Sequence, residues 1–167
     1  MIIPKLDAAQ SNVSDAIALY TLRRYLGAWT LSAAAYHCLK DYLSAENEQP
    51  ILEKACSGDS PFPELPDRIR HLWNMIKHAD RSKKDIHLPN EEDARAIIAF
   101  AIMDIIRLKR DLSPDQELFL AWQSACFQPL SKQFEELGER YFPGIGSLGL
   151  AEQLQRLINA LGVIKVT

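Results

Sequence analysis

Asn74 and His78 stand four residues apart within the run Arg70-His71-Leu72-Trp73-Asn74-Met75-Ile76-Lys77-His78-Ala79-Asp80-Arg81, which continues into Ser82-Lys83-Lys84-Asp85. On a helix that spacing stacks an amide and an imidazole on one face, close enough to act on one ligand. Cations surround the pair. Residues 68–84 hold Arg68, Arg70, Lys77, Arg81, Lys83 and Lys84 against Asp80 alone, a net +5 in a chain whose total is −3, so the remainder carries −8. A general acid or base with nearby cations suits chemistry at a phosphate. The plain alternative is a solvated helix face whose charges do nothing but keep it wet, and charge alone favours that reading.

Other chemistry finds less footing. His71 and His78 lie two helical turns apart, about 10 Å along the axis, too far for one ion. His37 and Asp41 have a suitable spacing but no evident third ligand, and the repeated Glu-x-x-His of di-iron bundles is absent. No metal and no cofactor is expected. Gly144-Ile145-Gly146-Ser147-Leu148-Gly149 spells a Gly-x-Gly-x-x-Gly run, yet it follows an aromatic, proline-containing segment rather than a strand, so the dinucleotide reading fails and at most a weak anion site remains. Asp104, set in an apolar stretch, reads as a satisfied core or interface carboxylate rather than a catalyst.

The elements that must position these residues are helices. Asn12 or Ser14 is the expected N-cap of a helical stretch reaching about Ala45, either one long helix or two joined near Gly27. Residues 49–56 fit a short helix, and Ser57 to Pro63 a loop. Pro66 and Asp67 suit the first turn of the next helix. In it Ile69, Leu72, Trp73 and Ile76 form the apolar face, while Arg70, Asn74, Lys77, His78 and Arg81 share another. Asn90-Glu91-Glu92-Asp93 caps a helix in which ten of the eleven residues from Ala96 to Ile106 are apolar, which places it at the centre of the fold. Ser113-Pro114-Asp115-Gln116 forms a capping box; the helix it opens heads for Tyr141, with Pro129 a kink or break. A final amphipathic helix covers about 150–161. No segment alternates with period two between turn signals. The fold class is all-α: a single-domain bundle of five to seven helices over residues 1–167, with residues 1–12 as a mobile N-terminal arm.

Composition agrees with a single soluble domain: 167 residues, 47% apolar and 25% charged. Cys38, Cys56 and Cys126 are odd in number and form no Cys-x-x-Cys pair, so neither a disulfide framework nor a zinc site is expected, and Cys38 and Cys126 read as small buried core residues. The start of the chain does not resemble a signal peptide, and the most apolar window falls short of the roughly 20 residues a membrane span requires. A cytoplasmic protein with no membrane partner is the expectation. The last amphipathic helix and the apolar Val163-Ile164-Lys165-Val166 tail are surfaces for a homodimer.

Trp73-Asn74-Met75-Ile76-Lys77-His78 resembles the Arg-Asn-x-x-x-His motif of the HEPN superfamily, small all-α domains of which many are metal-independent endoribonucleases in toxin and defence systems. Asn74 to Arg81 is also similar to a group of uncharacterised bacterial proteins with an Asn-x-x-Lys-His-Ala-Asp signature, and Ala33-Ala34-Ala35-Tyr36-His37 matches the preceding helix loosely. The resemblance implies a HEPN-like bundle, usually a homodimer, acting on RNA. It further implies His78 as general base or acid and Asn74 orienting it or bonding a phosphate. Arg70, Lys77 and Arg81, with Lys83 and Lys84, would bind substrate. One departure matters: Trp73 occupies the place of the motif arginine, and an indole cannot hold a phosphate as a guanidinium does. Arg70 or Arg81 could supply the cation. Three readings stay open: an RNA- or partner-binding domain with a degenerate nuclease motif, an endoribonuclease using His78 with Arg70 or Arg81, and a protein-interaction module without a nucleic-acid role. A small-molecule pocket between helices is a further option that no polar constellation in the core advertises.

Overall fold

The computed structural model describes residues 4–56, 65–77, 88–127 and 132–164. Among them every regular element is helical: α1 (Lys5–Thr21), α2 (Tyr25–Ala45), α3 (Ile51–Ala55), α4 (Leu65–Lys77), α5 (Glu91–Arg107), α6 (Pro114–Cys126), α7 (Lys132–Tyr141), a 3-10 turn (Ile145–Ser147) and α8 (Leu150–Ile164). The all-α class stands, with eight α-helices among the described residues rather than five to seven.

α5 is the hub. From Asp93 to Ile105 no residue is exposed, and Ile97, Ile98, Ala101, Ile102 and Ile105 are wholly buried. A helix apolar on most sides must be wrapped by others. α1, α2 and α6 do most of the wrapping, and α3 adds a cover at one end. Polar contacts fix the directions. The Cys38 thiol of α2 donates to the Lys5 carbonyl of α1, so these two helices run antiparallel. Near the start of α5, Glu91 accepts from the hydroxyls of Tyr20 (3.1 Å) and Tyr25 (3.2 Å), while near its far end Arg110 meets Asp7 at 2.5 Å. α5 is therefore antiparallel to α1 and parallel to α2. Gln116 at the start of α6 donates to the Gln10 carbonyl (3.0 Å) and the Ser14 hydroxyl (3.2 Å), and Trp122 near its end meets Tyr20 edge-to-face, so α6 follows α1.

The core is thus an up-down-down-up bundle of α1, α2, α5 and α6. Such an order needs one long crossover to return the chain between its two parallel members. Residues 46–90 are that crossover, and α3 and α4 lie on it. α7 and α8 pack on α6; the Trp122 indole donates to the Gln153 carbonyl of α8 at 3.0 Å. Gln153 in turn donates to the carbonyls of Ile145 and Leu148, so the glycine-rich run is a folded turn closed by α8.

Two expectations shift. α1 begins at Lys5, with Pro4 ahead of it, so residues 5–12 are helical where an arm was expected. Ser14, expected as an N-cap, instead lies against Ser113 (3.3 Å) and Gln116. The break between α1 and α2 falls at Arg23, not at Gly27. Arg23 is left-handed (φ 57°), with Arg23 N–H bonded to the Tyr20 carbonyl and Arg24 N–H to the Leu19 carbonyl, a Schellman ending. Gly27 serves packing: a Cβ there would stand 3.0 Å from Leu19 Cδ1 across the hairpin. The expected break near Pro129 lies between α6 and α7, although Pro129 itself is outside the described residues.

Gly138 on α7 is tighter still, since a Cβ would meet the Ala121 carbonyl oxygen at 2.9 Å and Ala125 Cβ at 3.0 Å. Gly162 on α8 has nothing within 4 Å of the same point. Gly138→Ala should therefore destabilise the fold by about 1–3 kcal/mol in urea titrations. Gly162→Ala, gaining helix propensity without a clash, should be neutral or stabilise by up to about 1 kcal/mol.

Candidate nucleic-acid face

α4 is not one of the four core helices; it rests on α2 from outside. Its period sorts it cleanly. Ile69 is buried, Leu72 and Trp73 are half-buried, and Asp67, Arg70, His71 and Asn74 are exposed. The Trp73 ring lies 5.3 Å, centroid to centroid, from the His37 imidazole on α2, which also meets Tyr36 edge-on at 5.5 Å. The residue standing in the place of the motif arginine is thus an anchor that fastens α4 to the bundle. It faces inward, as the apolar period predicted, and leaves that position without a cation for a bound phosphate.

The opposite face is free of the core. Arg70 and Asn74 are one turn apart and both exposed. Arg70 lies 3.4 Å from Asp67, with side chains 60% and 79% exposed, a surface pair worth little and readily exchanged for another anion. Lys77 is the last residue of α4, and only its backbone is described. His78, Arg81, Lys83 and Lys84 lie outside the described residues, as do Asp85 and His87. Of the expected site, then, Arg70 and Asn74 come together on one exposed face; the Asn74–His78 pair reaches beyond the described residues.

In the sequence His37 stands out only as a metal-ligand candidate with Asp41 and as the end of the Ala33–His37 stretch. Its position two-thirds along α2 gave no sign that the crossover would lay α4 over it. Among the described residues no three His, Cys, Asp or Glu side chains gather as a metal site. Cys38 and Cys126 are half-buried rather than buried, and burial pushes the Cys126 thiol up to about 12 and the Cys38 thiol upward as well. Both stay protonated near neutral pH and are poor nucleophiles. No helix among the described residues is long and apolar enough to cross a membrane.

A second polar constellation lies at the other side of the crossover. Asp104 is fully buried on α5, and its Oδ1 accepts from the Ile51 N–H at the start of α3 (2.8 Å). Burial, more than any neighbour, pushes its carboxyl up to about 6; Glu53 adds to the rise, while the Ile51 N–H and Arg107 oppose it. The core-carboxylate reading holds for Asp104, but only one of its oxygens is satisfied. Comparisons with protein-family models, with curated proteins and with solved structures return no match.

The two faces of α4 predict opposite sensitivities. Trp73→Ala should cost about 1–3 kcal/mol, because a half-buried indole and its ring contact are lost. Arg70→Ala and Asn74→Ala should each fall within about 0.5 kcal/mol of the parent in thermal or urea melts. A larger loss at Asn74 would make that side chain structural.

Proposed function

We propose that this chain is a HEPN-like helical domain that binds RNA through the polar face of α4 and carries a degenerate nuclease motif. The observation that carries the reading is the division of α4 itself. Arg70 and Asn74 are exposed on a helix outside the core, in the one strongly basic stretch of an acidic chain, while Trp73 is turned inward at the position where the nuclease motif has arginine. Binding needs only cations near the backbone phosphates, an amide to bond phosphate or sugar, and a rigid support. Cleavage needs more. His78 would have to exchange protons at the attacking or leaving oxygen while a cation sits at the phosphate, and Trp73 cannot be that cation.

Fluorescence anisotropy with a labelled single-stranded RNA across a salt series tests the reading. Binding should weaken steeply with salt, and the triple variant Arg70→Ala, Lys77→Ala, Arg81→Ala should flatten the slope of log K against log salt by roughly one per cation removed. The RNA should stay intact in metal-free buffer. Cleavage that disappears in His78→Ala would replace the degenerate reading with an active endoribonuclease. No binding at low salt, or an unchanged slope in the triple variant, would end the RNA reading in favour of a partner protein.

A further inference from the structure

α3 is five residues long, too short to hold itself helical, and it opens the crossover that leads to α4. Its attachment to the bundle is mostly polar. Leu52 is its one buried side chain. Arg107 of α5 reaches the Gln49 carbonyl and the Glu48 carboxylate just before it. On the α2 side, Glu53 accepts from the Tyr36 hydroxyl (3.2 Å) and pairs with Lys40. Beneath it lies Asp104, wholly buried, with Oδ1 on the Ile51 N–H and Oδ2 buried without a hydrogen-bond partner. The groups that face this carboxyl are Tyr36 from α2, Glu53 from α3 and Arg107 from α5, with Lys40 and Glu48 neutralised against Glu53 and Arg107.

We propose that Asp104 makes α3 a proton-gated strap, seated on α5 when the Asp104 carboxyl is protonated and released more readily when it is ionised. A neutral acid tolerates one unbonded oxygen in an apolar setting far better than a carboxylate does. Lifting α3 opens the carboxyl to water and relieves the ionised form. The sign follows from the two midpoints. Seated, Asp104 titrates at about 6; exposed, at its ordinary 3.8. Seating is strongest below about pH 4, weakens as pH rises from 4 to 6, and levels off above. The separation of these midpoints makes the opening constant roughly 50-fold larger at pH 7 than at pH 4. This inference does not depend on RNA binding at α4.

Hydrogen exchange of the amides from Ile51 to Cys56 tests it, with each rate divided by the intrinsic chemical rate at that pH. Between pH 4.5 and 7.5 the full chain should lose protection there by tens of fold, while amides of α6 from Leu118 to Ser124 keep theirs. Asp104→Asn retains an acceptor for Ile51 but cannot ionise, so its protection should be high and independent of pH. A pH-independent α3 in the parent, the same slope in Asp104→Asn, or loss of protection in α3 and α6 together would each overturn the proposal. Carbon-detected titration of the parent's carboxyls gives a reading that needs no variant: a midpoint near 6 for Asp104 supports the strap, and one near 4 overturns it.

Discussion

The fold depends on the burial of α5. A helix with no exposed residue from Asp93 to Ile105 keeps at most a half-buried stripe towards solvent, so other helices must cover it on most sides, and its few polar groups must be met where they lie. That requirement explains the placement of the strongest polar contacts. Glu91 gathers two tyrosine hydroxyls at one end, and Arg107, Arg110 and Asp104 meet the ends of other elements at the opposite one. Between these ends the packing is mostly apolar, with Arg95 laid over the Phe127 ring. α1 and α2 are held in direction by contacts at the two ends of α5, and α6 by its contacts to α1.

Much of this was legible in the residues because helix starts are written in side chains. Asn90 with Asp93, and Ser113 with Gln116, cap α5 and α6 as their spacing predicts. Helix ends were less legible. α1, α2 and α5 finish in left-handed residues at Arg23, Asn47 and Lys109, each in a Schellman ending, and none is the glycine that would announce one. The glycine signal at Gly27 therefore stands four residues past the true α1–α2 corner at Arg23. Pro4 gives no side-chain cap, so the start of α1 was hidden too, and Ser14 was spent on a tertiary contact with α6. The polar face of α4 followed from period alone. What lies beneath α4, and what seats α3, could not follow: both depend on where a 45-residue crossover is laid, and no local pattern encodes that.

The crossover also separates two duties. The four core helices are bound to one another by burial, so substitutions on their inward faces act on stability first. α3 and α4 touch the bundle through few residues, Ile51, Leu52 and Glu53 for one, Ile69, Leu72 and Trp73 for the other. Within the crossover the basic charge is concentrated in residues 68–84, which carry a net +5 against −8 for the remainder of the chain.

The up-down-down-up order carries a consequence for the protein as it is made. The α1–α2 hairpin can close through its short Arg23 corner as soon as Ala45 is synthesised, and it then presents an apolar trough that includes Val13, Ile17, Tyr20, Trp29 and Tyr36. The helix that fills this trough begins only at Glu91. At about 5–20 residues per second the nascent chain therefore waits some 2–9 s before α5 starts to emerge, and longer before it is complete. For those seconds the trough is open to any apolar segment nearby.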